Sequence, residues 1–464
     1  MFSIASIRRT GTGRSALAIA LLLLLALAAR IWGAWCLRYS TDSDAGIVYL
    51  MVRHMIQGVD WPVFFYGQGY MGNVEPLFSA ALCAVAGYSP LVVNLGTALL
   101  GWAALIPLAI WAADIAGRRG ALWALLIAAI GPPTFFGFQV SPRGGYAVTL
   151  LLGTLLTAWM VRLVQAERKT GRIRAALFFV WGLLAGLGFW ANALILPALA
   201  AAGCTALIGL GRTLWRPRRI LAGALGLAVG SAPFWIWTGL HHGESLSLLE
   251  NLQPAAWGQR ALALLTQRLP DFFEVPRGGS PLALLGLFLI LAPPLLAVGW
   301  LWRHRRDSRA LPVVAALLQV AFLLLFYCAS RFADTGLVRY LTPLLIPWTL
   351  LVVLALDLIA RKYREWIAWP LALLLAAANL HALRDFYWKS QKDAAQHTRA
   401  HHLAALCRDQ SIDLLYAGFQ HHWLNAALDE SIRVVTPAGE RLVVNAARAE
   451  AQSEPAFFQM ETLD

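Results

Sequence analysis

Charge is what this sequence has little of. Only 14% of its 464 residues are Asp, Glu, Lys or Arg, while 59% are hydrophobic; an ordinary soluble domain carries about a quarter charged residues. That balance excludes an ordinary soluble enzyme. Acids are scarcer than bases, 25 against 38. Cysteine is scarce as well. The five at positions 36, 83, 204, 328 and 407 have no metal or redox spacing. Cys36 and Cys328 fall near span ends on the same expected side and a pairing is open to them, but free buried thiols are the expected state. No P-loop occurs, which leaves ATP-driven transport without support. No HExxH pattern accompanies the helix-spaced His397 and His401, or His402, His421 and His422 nearby, so these read as a solvated polar face rather than a zinc site.

What the chain does have is apolar runs of membrane-spanning length. They lie near 15–36, 90–113, 120–138, 145–163, 175–190, 192–210, 220–239, 281–302, 310–329, 338–360 and 366–383, and about twenty residues cross a hydrocarbon core of roughly 30 Å. The first run is too long for a secretory h-region and lacks a small-residue cleavage site, so it reads as a transmembrane helix. The expected fold class is an all-α polytopic membrane protein, a bundle of about eleven transmembrane helices.

The net charge of +13 follows from topology, not from a nucleic-acid partner. With the N-terminus in the cytoplasm and the spans alternating, 21 of the 38 Lys and Arg fall on inner segments, nine on the outer side and its span ends, and eight in the tail after His381. The positive-inside rule fixes that orientation. Nine acids (Asp42, Asp44, Asp60, Glu75, Glu244, Glu250, Asp271, Glu274 and Asp334) fall outside, and only Asp114, Glu167, Asp307, Asp357 and Glu365 inside. Acids contribute little to the rule, so their segregation separately marks the outer face as the polar one.

Three regions follow. Residues 1–89 hold the first span and a long outer loop. Residues 90–383 form the bundle, interrupted by an outer loop at 241–280 in which 262–269 reads as a short helix covering the cavity. Residues 384–464 are a polar extracytoplasmic tail, read as a small α/β domain with a helix at 394–407 and strands near 413–418, 432–435 and 441–445, the last two flanking Pro437-Ala438-Gly439. Gly182, Gly186 and Gly188 mark close helix packing.

The chemistry concentrates in the first loop. Thr41-Asp42-Ser43-Asp44 follows the first span, and a carboxylate beside a bilayer is costly unless paired, solvated or working. Ile47, Leu50, Met51 and Met55 recur at helical spacing until Gly58, which reads as an interfacial amphipathic helix. Two roles stay open for the acids: Ser43 or Asp44 capping that helix, or Asp44, with Asp42, serving as a general base or metal-binding carboxylate. The stretch 61–73 is too rich in Gly and aromatics for one regular element, and 75–86 suggests a second short helix. Tyr66, Gln68, Tyr70, Asn73 and Glu75 are candidates to line a sugar pocket, against the alternative of an interfacial aromatic belt with turn residues. Arg143, Arg331 and Arg339 run against the topological bias. They suit a lipid-linked phosphate or, equally, snorkelling to ordinary headgroups.

The order of a leading span, an acidic pair, a helix ending in Gly, Asp60-Trp61-Pro62, Tyr70 and Glu75-Pro76 resembles the first loop of the GT-C membrane glycosyltransferases, particularly the protein O-mannosyltransferase and lipid A aminoarabinose transferase branch. Gly117-Arg118-Arg119-Gly120-Ala121-Leu122 and Arg339-Tyr340-Leu341-Thr342-Pro343 are similar to later landmarks of those families. The resemblance implies transfer of a sugar from a polyprenyl-phosphate donor to a glycan, lipid or protein acceptor on the extracytoplasmic face of a bacterial inner membrane. It assigns the catalytic acid to Asp44, fourteen residues before Gly58, with Asp42 secondary. Two departures stand out. Ala45 replaces a second acid found directly after the first, which weakens any divalent-cation requirement, and no Lys follows Tyr70, which leaves the sugar open. The rival functions are a transporter or flippase of lipid-linked saccharides and a non-catalytic membrane scaffold.

Overall fold

The computed structural model describes residues 13–40, 42–243, 245–246, 257–409, 414–416 and 433–435. The strands expected near 441–445 and the turn at 437–439 lie outside the described residues. Helix α1 (Gly13–Cys36) leads through a 3-10 turn, Leu37–Tyr39, into α2 (Ser43–Gln57), a hairpin of β1 (Phe64–Phe65) and β2 (Gln68–Gly72), and α3 (Val74–Ala86). The bundle follows as α4 (Pro90–Ala103), α5 (Leu105–Ala128), α6 (Pro133–Gly137), α7 (Tyr146–Thr170), α8 (Ala175–Ala191), α9 (Leu196–Leu210), α10 (Pro217–Gly230) and α11 (Ala232–Leu240). After α12 (Trp257–Ala263) and α13 (Leu269–Phe272) come α14 (Pro281–His304), α15 (Ala310–Ala329), α16 (Leu345–Tyr363), α17 (Glu365–Ala377) and α18 (Leu380–Asp409), then β3 (Leu414–Tyr416) and β4 (Arg433–Val435).

Among the described residues seven stretches are long and apolar enough to cross a membrane, or eight if α10 and α11, bent by 57° at Ser231, make one span. The sequence expected about eleven. The difference has three sources. α8 and α17 are apolar but only 17 and 13 residues long. The 39-residue stretch Pro90–Ala128 counts once, although Ala116 and Gly117 leave helical geometry inside it. That break falls between the two spans expected there, because Gly117 adopts φ 64, a backbone setting open to glycine. The chain is a multi-pass membrane protein by these helices.

Packing explains the glycines. A Cβ on Gly182 would sit 2.1 Å from Gly223 O, and one on Gly186 2.3 Å from Leu227 O, so α8 and α10 meet backbone to backbone. Gly188 packs instead on the Ile195 side chain.

Ion pairs stay within the two groups that the sequence assigned to inside and outside. All five acids assigned inside pair with arginines assigned inside: Asp114 with Arg162, Glu167 with Arg219, Asp307 with Arg309, Glu365 with Arg119, and the fully buried Asp357 with Arg119, Arg309 and Arg361. Asp42, Asp44, Asp271 and Asp334 pair with Arg143, Arg339, Arg277 and Arg260 on the other side.

The stretch 61–73 is not one regular element, as expected, but holds a short hairpin. β1 and β2 pair antiparallel with a register shift between Phe64 and Phe65, Gly67 at φ 71 makes the turn, and Phe64 and Phe65 are buried. The covering loop runs as α12, a π-helical turn at Leu264–Arg268 and α13, while the tail helix expected at 394–407 is the end of the longer α18. β3 pairs parallel with β4.

Candidate functional site

One end of the bundle gathers charge from three distant segments. The first is the start of α2. Asp42 Oδ1 accepts from the Ala45 amide at 3.1 Å, so Asp42 is the N-cap. Capping was expected of Ser43 or Asp44; the cap falls earlier, and it leaves the Asp44 carboxylate for other work. Asp44 lies within the first turn, where its charge complements the helix dipole. Gly58 closes the helix in the left-handed conformation at φ 70, donating to His54 O and Met55 O. Between the ends, Ile47, Leu50, Met51 and Met55 are buried as their spacing required. Tyr49 anchors the helix below the acids: its hydroxyl donates to Asn94 Oδ1 at 2.8 Å, and Asn94 Nδ2 donates to Ala34 O at 3.1 Å.

The second segment is the loop from Phe138 to Gly145. Arg143 Nε lies 3.6 Å from Asp42 Oδ2, and its guanidinium sits 4.9 Å from the Phe138 ring centroid. Arg30, fully buried in α1, holds this loop from beneath. Its Nη2 and Nε donate to Gln139 Oε1 at 2.7 and 3.3 Å, and its Nη1 to Ala129 O at 2.7 Å and Ala26 O at 3.1 Å. Asn192 Nδ2 holds the other end through Gly144 O at 2.9 Å.

The third segment is the 3-10 turn Val338–Leu344 before α16. Arg339 Nη1 lies 3.1 Å from Asp44 Oδ2, and its Nη2 donates to Tyr340 Oη at 3.3 Å. Tyr340 stacks on Phe332 at 4.5 Å. Tyr146, the first residue of α7, completes the cluster; Arg339, Tyr340, Asp44 and Tyr70 lie within electrostatic range of its hydroxyl.

The structure therefore brings together Asp42, Asp44, Arg143, Arg339 and Tyr70, and adds Tyr146 and Tyr340. It engages the other candidates elsewhere. Tyr66 donates to Asp60 Oδ2 at 2.9 Å and meets His54 Nδ1 at 2.9 Å; its hydroxyl proton is held tighter than usual, first by burial and then by Asp60. Asn73 is buried and donates to Pro62 O, tying the hairpin to its own entry. Gln68 opens β2, half-buried. Arg331 is exposed in the turn Arg331–Ala333. Glu75 is 1% exposed and accepts from Thr97 Oγ1 at 2.9 Å, and burial raises its carboxyl to about 7.

Asp42 and Asp44 each face an arginine, and among the described residues no group of three or more His, Cys, Asp or Glu could hold a metal ion. Neither Tyr146 nor Tyr340 was among the expected site residues, although Tyr146 follows Arg143 by three positions and Tyr340 lies within the landmark 339–343. The usable signal was the pair of glycines after Arg143, which makes Tyr146 the first residue of a helix starting at the site. Arg30 escaped because a lone Arg near the end of a span reads as snorkelling.

No protein-family model matches the sequence, and no curated protein does. Solved structures do match. ArnT from Cupriavidus metallidurans, crystallised bound to undecaprenyl phosphate, is 15% identical with a TM-score of 0.59, over 95% of this chain and 88% of that one. The archaeal oligosaccharyltransferase AglB from Archaeoglobus fulgidus, in complex with an inhibitory peptide and a dolichol-phosphate, is 12% identical with a TM-score of 0.53, over 95% of this chain and 65% of that one. The chain has the fold of the GT-C membrane glycosyltransferases.

Proposed function

We propose that this protein is a GT-C glycosyltransferase that moves a sugar from a polyprenyl-phosphate donor to a glycan, lipid or protein acceptor on the extracytoplasmic face of a bacterial inner membrane. The observation that carries the reading is the Asp44–Arg339 contact, flanked by Asp42–Arg143, on a fold shared with proteins crystallised with undecaprenyl phosphate and dolichol-phosphate. The distribution of Lys and Arg, which reads the N-terminus as cytoplasmic, supports an outer face for this site.

The chemistry is a single inverting displacement. Asp44 takes the acceptor's proton, the acceptor atom bonds to the anomeric carbon, and the bond from that carbon to the phosphate oxygen breaks with its electron pair on the polyprenyl phosphate. Before the donor arrives, Arg339 neutralises Asp44. A donor phosphate competes for the same guanidinium, and its arrival frees the carboxylate as a base at the moment a base is needed. Arg143 and Arg339 hold the charge that grows on the leaving phosphate. Tyr70 and Tyr340, both half-buried beside the pair, are the aromatic side chains open to the sugar, while Tyr146 is buried against Phe138.

The test is purified protein in lipid nanodiscs with polyprenyl-phosphate-linked hexoses and pentoses, beside mass spectrometry of envelope glycans from a deletion strain and its parent. The reading expects a glycan change restored by the wild type and not by Asp44→Asn. A correctly folded Asp44→Asn protein that restores it fully would remove Asp44 from the chemistry, and an unchanged glycan profile would favour a scaffold.

A further inference from the structure

Glu75 was expected to face a sugar, yet its carboxyl points into the protein. It is the second residue of α3, with Oε1 bonded to Thr97 on α4 and Oε2 buried without a hydrogen-bond partner. Beside it lie the backbone amides of Gly145, Ala147 and Val148. These amides belong to the start of α7, a 25-residue helix whose N-cap is Gly145 and which has no side-chain cap of its own. The first N–H groups of any helix lack intrahelical acceptors, and the helix dipole favours an anion in front of them.

The same few residues connect to the site. Gly144 and Gly145 stand consecutively at φ 91 and 82, a pivot that side-chain-bearing residues rarely adopt. Arg143 on one side of the pivot faces Asp42, and Tyr146 on the other lies near Asp44 and Arg339. Added Cβ atoms there would meet Met71 at 2.8 Å and Ala191 O at 3.0 Å, so the pivot is seated against β2 and the end of α8. The direction in which α7 starts therefore fixes where both functional side chains point.

We propose that Glu75 caps α7 from the neighbouring helix α3 and is a positioning residue, holding Arg143 and Tyr146 against the Asp42 and Asp44 carboxylates. The role assigned to the positioned residues rests on the glycosyltransferase reading; the cap itself does not. Burial raises the Glu75 carboxyl to about 7, with Thr97 and the α7 amides acting in the opposite sense. Of the elements packed on α3, α4 and α8 carry no ionisable side chain, α7 brings only Tyr146 before Arg162, and α2 brings Asp44, Tyr49, Arg53 and His54. The ionised, better-capping form thus gains population as pH rises through about 7.

Two measurements on the full-length protein test this. The first is binding of undecaprenyl phosphate from pH 5.5 to 8.5 by wild type, Glu75→Gln and Glu75→Ala. Ionisation of the lipid phosphate is common to all three and cancels in the comparison. Relative to Glu75→Gln, the wild type should gain affinity about fivefold across the range, within what a partly buried charge at a helix end supplies. Glu75→Ala should bind more weakly than both at pH 8, and Glu75→Asp should restore part of the loss. Superimposable profiles for wild type and Glu75→Gln would overturn the proposal. The second is hydrogen exchange of the amides from 145 to 149, which needs no ligand. They should exchange faster in Glu75→Ala while α14 and α16 stay protected, and unchanged exchange there would overturn the cap. If no protein binds the lipid but the exchange difference stands, the glycosyltransferase reading fails and the cap survives.

Discussion

Arg339 and Asp44 stand 295 residues apart in sequence and 3.1 Å apart in the structure. Each is the pivot of its own segment, one at the start of α2 and one in the turn before α16. The contact therefore closes the site from opposite ends of the chain.

Removing either partner should separate two roles. Asp44→Asn is expected to lower kcat by about 10²–10⁴, the usual contribution of a positioned base, with little change in KM for the lipid donor. Arg339→Ala should raise that KM as well as lower kcat, and Arg339→Lys should recover only part because an ammonium lacks the planar fork. Steady-state kinetics with a polyprenyl-phosphate sugar separates these; equal kcat losses with unchanged KM in both would show that Arg339 does not hold the donor.

Asp42 should behave differently from Asp44. Because its side chain caps α2, Asp42→Asn keeps a good cap and should retain most of the activity. Asp42→Ala should cost about 1 kcal/mol of stability. Thermal unfolding in detergent and activity together check this; loss of activity in Asp42→Asn equal to that in Asp44→Asn would make Asp42 a partner in the chemistry.

Stability should fall as pH rises toward 7. The carboxyl of Glu75 is raised from 4.5 to about 7 in the folded state. Below 4.5 both folded and unfolded chains hold the proton, between the two values only the folded chain does, and above about 7 neither does. Folding thus loses stability steadily across that window and levels off beyond it. Melting curves from pH 4 to 8.5 should show this slope in the wild type and less of it in Glu75→Gln. The ionised form costs overall stability even though it is the better local cap, because desolvation outweighs the amides.

Asp357→Ala should be the most damaging change at the opposite end. Asp357 is fully buried and faces Arg119, Arg309 and Arg361 at 2.5, 2.9 and 2.6 Å. Deleting it removes an acceptor shared by three arginines, but Arg119 and Arg309 keep Glu365 and Asp307 and Arg361 is largely exposed, so the expected cost is about 1–3 kcal/mol. Asp357→Asn should cost less, since it still accepts from one arginine. Melting temperatures of the two variants give the comparison; wild-type stability in Asp357→Ala would show that the arginines find other acceptors.

The legible parts of this protein were those governed by length, period and charge. Ile47, Leu50, Met51 and Met55 announced the buried face of α2, and Gly58 announced its end. The acid cluster was visible because carboxylates beside a bilayer are rare. Contacts across the chain were not visible. Nothing local distinguishes Arg339, which reaches Asp44, from Arg331, which stays exposed, since both flank the same loop. Tyr66, Asn73 and Glu75 looked like pocket residues because polar and aromatic side chains carry no mark of direction. Asp60, Pro62 and Thr97 absorb them, and only the folded hairpin and α3 show it. The hairpin was hidden because its two-residue first strand is too short to display alternation.

Arg30 carries a consequence for how the protein is made. An arginine inside a largely apolar first helix is costly to insert, up to about 2.5–3.5 kcal/mol at a helix centre and less toward an end. Apart from Ala26 O on its own helix, its acceptors, the carbonyl of Ala129 and the side-chain amide of Gln139, are about a hundred residues downstream and are made only after α1. Until they are made, a guanidinium near the end of a helix can reach headgroups and water by snorkelling. It turns inward only when the segment from α5 to α6 arrives to receive it. The loop that bears Arg143 is thus seated by a charge from the first helix, a contact that can form only once both segments have been made.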